Sequence, residues 1–354
     1  MPAYLLLLRP APNRVYGKDA GALNTAELSV LDDGALGGAL RAIGPAVVAG
    51  VEYVRFETGA DLTADQVGLL SNLSSAFALF RAGDEGSLES IALRPVALSP
   101  VAHLDDDLLT ILRYKGKTNE QFTKLLTNVT LAASSHASDW PGRRLRILDP
   151  VCGRGTTLNQ GLVYGFDVDG IEIDRVAYDA YRTFLVTWLK DKRFKHQVHT
   201  MPVRRDGKIA GRRLEVVFAR DKDEYKADDV QRVRLVNDDT LHAAEHYRKP
   251  VFDAVIADLP YGVQHASRAK PDGRARSRTP EELLAAALPG WTGAMKAGAA
   301  IGMSWNTKVM PRANVVELLG AHGLTVRDAP PYSGFEHRVD AAITRDLVVA
   351  TKPA

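Results

Sequence analysis

Cysteine is nearly absent: Cys152 is the only one in 354 residues. That excludes an internal disulfide framework and any multi-cysteine zinc site, and it fits a reducing cytosol. Net charge is small as well. Lys and Arg number 45 against 43 Asp and Glu, a formal +2, so a uniformly basic, histone-like surface is excluded. Long apolar runs are missing. The N-terminal run Ala3–Leu8 is too short for the apolar region of a signal peptide and has no basic stretch before it. No stretch approaches the ~18 apolar residues of a transmembrane helix. Repeats and low-complexity tracts are lacking too. The nine histidines have no ligand spacing with cysteine, so no metal is assigned. What remains, 45% apolar and 25% charged residues, is an ordinary globular mixture. At roughly 100–200 residues per domain the length suggests about two domains. A cytoplasmic protein with no membrane segment is expected.

Residues 1–100 read as a small α/β domain for docking or substrate recognition. Tyr4–Leu8 is a buried-type strand, and Asn24 is placed to cap a helix through Ala26–Leu31. Val47–Phe56 reads as a strand broken at Gly50. Thr63 would open a long helix with Val67, Leu70, Leu73, Phe77 and Phe80 on one face. Ile91–Leu98 returns as a strand, and Pro95 within it argues for a sheet edge. Residues 101–135 read as a linker and helix. There Thr118 and Gln121 have capping-box spacing, and Phe122, Leu125, Leu126 and Val129 share a face.

From residue 136 to 354 the pattern is doubly wound. Strand Leu145–Leu148 leads into a glycine loop and a helix from Thr156. A strand ending at Ile171–Ile173 is followed by helix Val176–Leu189. Residues 190–234 interrupt the winding with fourteen Lys or Arg against eight acids. They contain the turn Arg205-Asp206-Gly207-Lys208 and read as an inserted hairpin. Strands Val233–Val236, Phe252–Ala257 and Ala299–Trp305, helix Ala313–His322, and the closing pair Thr325–Asp328 and Asp346–Thr351 complete a seven-strand sheet.

Two strand ends carry chemistry. The first is Asp149-Pro150-Val151-Cys152-Gly153-Arg154-Gly155-Thr156-Thr157, between a strand and a helix. Gly153 and Gly155 let backbone approach a ligand, and the free amides of a helix start favour an electron-rich group. The third glycine of a dinucleotide fingerprint is replaced by Leu158. Glu172, nineteen residues after Gly153, ends the next strand, where a carboxylate can accept both ribose hydroxyls. A nucleoside-containing cofactor fits this pair. The second site is Asp258-Leu259-Pro260-Tyr261-Gly262, at the carboxyl end of another strand and therefore beside the glycine loop. An aromatic exocyclic amine is a poor nucleophile because its lone pair is delocalised. The Asp258 carboxylate and the Leu259 carbonyl could hold its two hydrogens and re-aim the lone pair at a methyl group, with Tyr261 stacked on the ring. Immediately after lie Arg268, Lys270, Arg274, Arg276 and Arg278 against one acid, Asp272, as a phosphate-gripping loop would.

Together the two motifs resemble the amino-group methyltransferases that use S-adenosylmethionine, whose signatures are D-P-x-x-G-x-G-T and [DNS]-P-P-[YF]. Their order is similar to the branch containing the THUMP-associated tRNA guanine-N2 methyltransferases, in which D-L-P-F-G also occurs. The segment Tyr114–Asn119 also looks like the one preceding the catalytic domain there. The resemblance covers about residues 110–354; the hundred residues ahead are fewer than a THUMP region with its linker domain needs. It implies a Rossmann-like methyltransferase domain, with Asp149, Cys152, Gly153, Gly155 and Thr156 around the methionine end of the cofactor. It further implies Glu172 and Ile173 at the ribose side, Asp239 near the adenine, and Asp258 against both cofactor and acceptor. Asp258, Leu259, Pro260 and Tyr261 would be catalytic; Lys117, Tyr261, Arg268, Arg274, Arg276 and Arg278 would meet the substrate.

The expected function is methyl transfer from S-adenosylmethionine to an exocyclic amine of a nucleobase, guanine in tRNA or another structured RNA first. A base within a helix must be flipped out to reach such a site. The alternatives are an adenine or cytosine amine in DNA, a small-molecule or peptide amine, and a binding protein of this fold without catalysis.

Overall fold

The strands of the larger sheet that run parallel bury most of their residues, because both their faces are covered. In the computed structural model, which describes residues 1–11, 14–83, 91–112, 114, 116–260 and 279–354, β6 (Arg146–Asp149), β7 (Asp167–Ile171), β10 (Gln231–Asn237), β11 (Phe252–Asp258) and β12 (Met295–Asn306) run parallel. Phe252 to Ala257 of β11 are all buried. Two antiparallel strands close one side, β15 (Thr344–Thr351) beside β12 and β13 (Thr325–Arg327) at the edge, with the short β14 (His337–Arg338) against β15. On the other side the basic insertion forms a hairpin, β8 (Lys195–Arg205) and β9 (Lys208–Ala219), which adds antiparallel to β10. The order is β13-β15-β12-β11-β6-β7-β10-β9-β8: the seven expected strands of a Rossmann-like sheet, widened by the hairpin.

Between β6 and β11 the chain reverses its direction of winding. The carboxyl ends of these two strands, Asp149 and Asp258, therefore flank the switch-point crevice where ligands of open α/β sheets bind. The connecting helices are α5 (Thr156–Val163), α6 (Arg175–Asp191), the short α7 (Lys222–Lys226) and α8 (Ala243–His246), α9 (Pro280–Ala294) and α10 (Arg312–Ala321).

The first hundred residues form a separate antiparallel sheet, β2-β3-β1-β4-β5. It comprises β1 (Ala3–Leu8), β2 (Leu40–Val48), β3 (Val51–Thr58), β4 (Ala76–Ala82) and β5 (Leu93–Val96), with helices α1 (Arg14–Leu31) and α2 (Ala64–Leu70). Pro95 does lie on the edge strand β5. Three local expectations change. Asn24 is inside α1, its amide bonded to the Ala20 carbonyl at 2.7 Å, rather than capping it. Val47–Phe56 is a hairpin turning at Ala49 and Gly50. The helix opened by the Thr63–Gln66 capping box stops at Leu70, where Ser71 and Asn72 side chains bond to the Val67 and Gly68 carbonyls. Phe77 and Phe80 then belong to β4.

After the short α3 (Asp107–Thr110), the expected linker helix becomes α4 (Glu120–Ala132), buried almost throughout. Its N-cap is Asn119, which accepts from the Gln121 amide, and not Thr118. The helix packs on α1, α5 and β12. Its approach to β12 needs a glycine, since a Cβ at Gly302 would lie 1.8 Å from Thr130 Oγ1. Glu27 of α1 accepts from Asn128 of α4 at 2.7 Å, and burial raises this carboxyl. Apolar side chains of the first sheet, α4 and the wound sheet form one continuous cluster. Among the described residues no helix is long and apolar enough to cross a membrane.

Candidate functional site

The loop after β6 is shaped by what lies beneath it. Gly155 begins α5 at φ +81°, and a Cβ there would sit 2.4 Å from the Tyr181 ring, so neither conformation nor space admits a side chain. The Cys152 amide bonds to the Ile171 carbonyl at 3.0 Å and ties the loop to β7. Its thiol is buried, which raises it well above the ordinary range, so Cys152 contributes packing and backbone rather than a thiolate. Glu172 Oε2 accepts from the Gly153 amide at 2.7 Å, and Oε1 from the Asp174 amide at 2.6 Å. Next to it Ile173 is 69% exposed and Val176 60% exposed, an apolar step beside a carboxylate. A planar ring carrying a ribose would cover that step.

Asp149 is buried behind the loop. Burial pushes its carboxyl up to about 7; hydrogen bonds from Val151 and Thr157 oppose this, and the Asp258 and Glu172 charges add to it. Asp149 thus feels two further carboxylates at the crevice. A cationic ligand would relieve them.

Asp258 and Ser304 are register partners on the parallel strands β11 and β12. The Ser304 hydroxyl donates to Asp258 Oδ1 and the Thr118 hydroxyl to Oδ2. Leu259 is buried, its amide bonded to the Ser304 carbonyl at 2.9 Å, and Pro260 is half-buried. The segment before α4 also leans on the glycine loop: the Tyr114 hydroxyl lies 3.1 Å from Thr156 Oγ1, and the Arg154 guanidinium stacks 4.9 Å above the Tyr114 ring. Burial raises the Tyr114 hydroxyl.

Asp239 caps a one-turn helix over Thr240–His242, with its carboxylate on the Leu241 amide at 3.1 Å. Its neighbour Asp238 is buried. Burial acts to raise it, but hydrogen bonds from His246 and Arg205 hold it well below the carboxylate range. Arg205 stands at the tip of the hairpin, so this pair pins the insertion to the site's rim.

Asp149, Cys152, Gly153, Gly155, Thr156, Glu172, Ile173, Asp258, Leu259 and Pro260 therefore gather at the carboxyl ends of β6, β7 and β11, with Asp239 following β10. Lys117 has local partners: its ammonium contacts Glu120 and the Leu109 carbonyl, each at 2.5 Å. Tyr261, Arg268, Arg274, Arg276 and Arg278 lie outside the described residues. The basic insertion is also less free than its composition suggests: Lys192, Arg205, Arg213, Arg220, Arg232 and Arg234 have carboxylate partners. Among the described residues no cluster of three His, Cys, Asp or Glu could hold a metal.

Thr118 and Ser304 escaped the sequence reading. Thr118 has the spacing of a local cap, which concealed its long-range partner. Ser304, a hydroxyl that follows the apolar stretch Ala299–Met303 of the strand beside β11, carried a usable signal.

No family model matches the sequence, and no curated protein matches it. Among solved structures the chain is similar to a TehB-like S-adenosylmethionine-dependent methyltransferase from Corynebacterium glutamicum, at 16% identity and TM-score 0.33, over 59% of this chain and 81% of that one. It is similar to the T. thermophilus 16S rRNA N2 methyltransferase in complex with AdoMet and guanosine, at 14% identity and TM-score 0.30, over 60% of this chain and 36% of that one. A third is Burkholderia thailandensis 1,6-didemethyltoxoflavin-N1-methyltransferase with bound S-adenosylhomocysteine, at 16% identity and TM-score 0.37, over 66% and 78%.

Proposed function

We propose that this protein transfers a methyl group from S-adenosylmethionine to an exocyclic amine of a nucleobase, with guanine in tRNA or another structured RNA as the first candidate. The observation that carries the reading is Asp258: a carboxylate at the end of β11, across the switch point from the glycine loop, with each oxygen already oriented by one hydroxyl. A carboxylate oxygen can accept more than one hydrogen bond, so an amine hydrogen is compatible with the hydroxyls.

The chain's residues fit the cofactor's parts. Glu172 suits the ribose hydroxyls, Ile173 the adenine face with Asp239 at its edge, and the acids Asp149 and Asp258 suit a net positive methionine end. The cofactor would supply a methyl group activated on a sulfonium. Asp258 and the Leu259 carbonyl would hold the amine, so that its lone pair forms the new N–C bond in line with the breaking C–S bond. The C–S bonding pair would remain with the sulfur, and the surplus amine proton would leave to the carboxylate or to water. The chain's part is orientation and preorganised charge, with no covalent intermediate.

Incubation with methyl-labelled cofactor and separate pools of tRNA, rRNA, DNA and protein, followed by nucleoside analysis, tests this. Label on an exocyclic amine in an RNA pool is the expected result. Label only in DNA, protein or small amines would overturn the RNA assignment. Failure to bind the cofactor would overturn the whole reading.

A further inference from the structure

We propose that Thr118 and Ser304 act as a two-sided clamp that positions Asp258 for the acceptor amine, which makes α4 and the segment leading into it part of the catalytic apparatus. This rests on the methyl-transfer reading above.

A carboxylate at a strand end can rotate about its Cβ–Cγ bond, and that torsion is broad. Holding a planar –NH2 group needs one carboxylate orientation. Two donors from opposite sides supply it, since Ser304 takes Oδ1 and Thr118 takes Oδ2. Once both are engaged, the plane of the Asp258 carboxylate is fixed, and with it the directions from which an amine can donate.

The two donors reach Asp258 by independent routes. Ser304 is delivered by parallel register on the adjacent strand, and its side chain is fully buried. Thr118 comes from outside the wound sheet, 140 positions earlier in the chain, immediately before the N-cap Asn119 of α4. Its place is set by α4, which is seated on β12 where Gly302 admits Thr130, and held to α1 by Asn128 and Glu27. Lys117 is fixed alongside by Glu120 and the Leu109 carbonyl. A residue serving only as a helix cap would bond to the first turn. Thr118 leaves that task to Asn119 and gives its hydroxyl to Asp258.

The test measures single-turnover methyl transfer at saturating cofactor, using whichever nucleic-acid pool accepts label, beside calorimetric affinity for S-adenosylhomocysteine. Thr118→Val and Ser304→Ala should each slow transfer by about 10-fold or more, the scale of one hydrogen bond to a charged group, with cofactor affinity within twofold of wild type. Thr118→Ser should restore the rate. In an Asp258→Ala background, Thr118→Val should cost nothing further, because its effect passes through the missing carboxylate. A purely structural Thr118 would add its loss in both backgrounds, and that result, or wild-type rates for Thr118→Val and Ser304→Ala, overturns the clamp while leaving methyl transfer intact. If Asp258→Ala itself keeps the wild-type rate, the amine-holding reading falls and the clamp with it. Should Ser304→Ala fail to fold, the half-buried Thr118 pair of variants still decides.

Discussion

The Gly153 amide donates to the Glu172 carboxylate at 2.7 Å, so the acid that ends β7 also shapes the glycine loop that follows β6. The same carboxylate receives the Asp174 amide at 2.6 Å, at the cap of α6. One buried side chain thus joins the loop, the strand end and the next helix.

Glu172→Ala should therefore do two things. Cofactor affinity should drop by roughly 1.5–3 kcal/mol for the lost charge-assisted hydrogen bonds, and the melting temperature should fall because the Gly153 amide loses its partner. Glu172→Gln keeps one acceptor oxygen and should lie between. Calorimetry giving wild-type affinity for the alanine variant would remove Glu172 from the site.

Asp258 separates binding from chemistry. Asp258→Ala should leave affinity for S-adenosylhomocysteine, which lacks the sulfonium charge, near wild type and lower the transfer rate by about 100-fold or more, the scale of one preorganised polar group. Asp258→Asn should be milder, since its amide oxygen still accepts. Rates measured with the true acceptor that stay near wild type would refute the amine-orienting role.

The wound half was legible because its buried strands leave short apolar runs, Ile147-Leu148 and Ala254 to Ala257, and because the acids Asp149, Glu172 and Asp258 stand at or just after strand ends. The N-terminal half was harder. Val67, Leu70, Leu73, Phe77 and Phe80 keep helical spacing across a real break, and only the Ser71 and Asn72 side chains, taking the helix's last carbonyls, mark it. The burial of α4 was hidden by its own polar residues. Thr127 and Thr130 return their hydroxyls to the Thr123 and Leu126 carbonyls, so faces that look solvated can sit in a core. Thr118 matched a local motif and joined a partner 140 residues away, a choice no local pattern encodes.

Charge in the insertion divides by position. Arg205 is held by Asp238 and Glu245, whereas Arg204, Lys208 and Arg212, close by on the hairpin, are exposed and have no carboxylate partner among the described ion pairs. If the acceptor is RNA, neutralising these three should weaken RNA binding and lower the slope of log affinity against log salt by up to about 3. Arg205→Gln should instead loosen the hairpin from the rim and appear as lost stability. An unchanged salt slope in the triple variant would exclude the hairpin tip from the RNA path.

Asp149 gives a pH signature. Its carboxyl is pushed up to about 7, chiefly by burial, against an ordinary value of 3.8. A group raised on folding contributes stability that is complete below the unfolded value and lost as pH climbs through the folded one. The ligand-free protein should therefore lose stability between about pH 4 and 7 on this account, and Asp149→Asn should flatten that slope and melt higher than wild type at pH 8. Cofactor affinity should run the other way. If the bound, net-cationic cofactor requires the ionised carboxylate, affinity should rise about tenfold from pH 6 to pH 8, and the asparagine variant should bind weakly at both. Melting curves and calorimetry across that range check the pair. A wild type whose cofactor affinity is flat from pH 6 to 8 would mean that Asp149 stays neutral under the cofactor and serves the loop as a hydrogen-bonding strut alone.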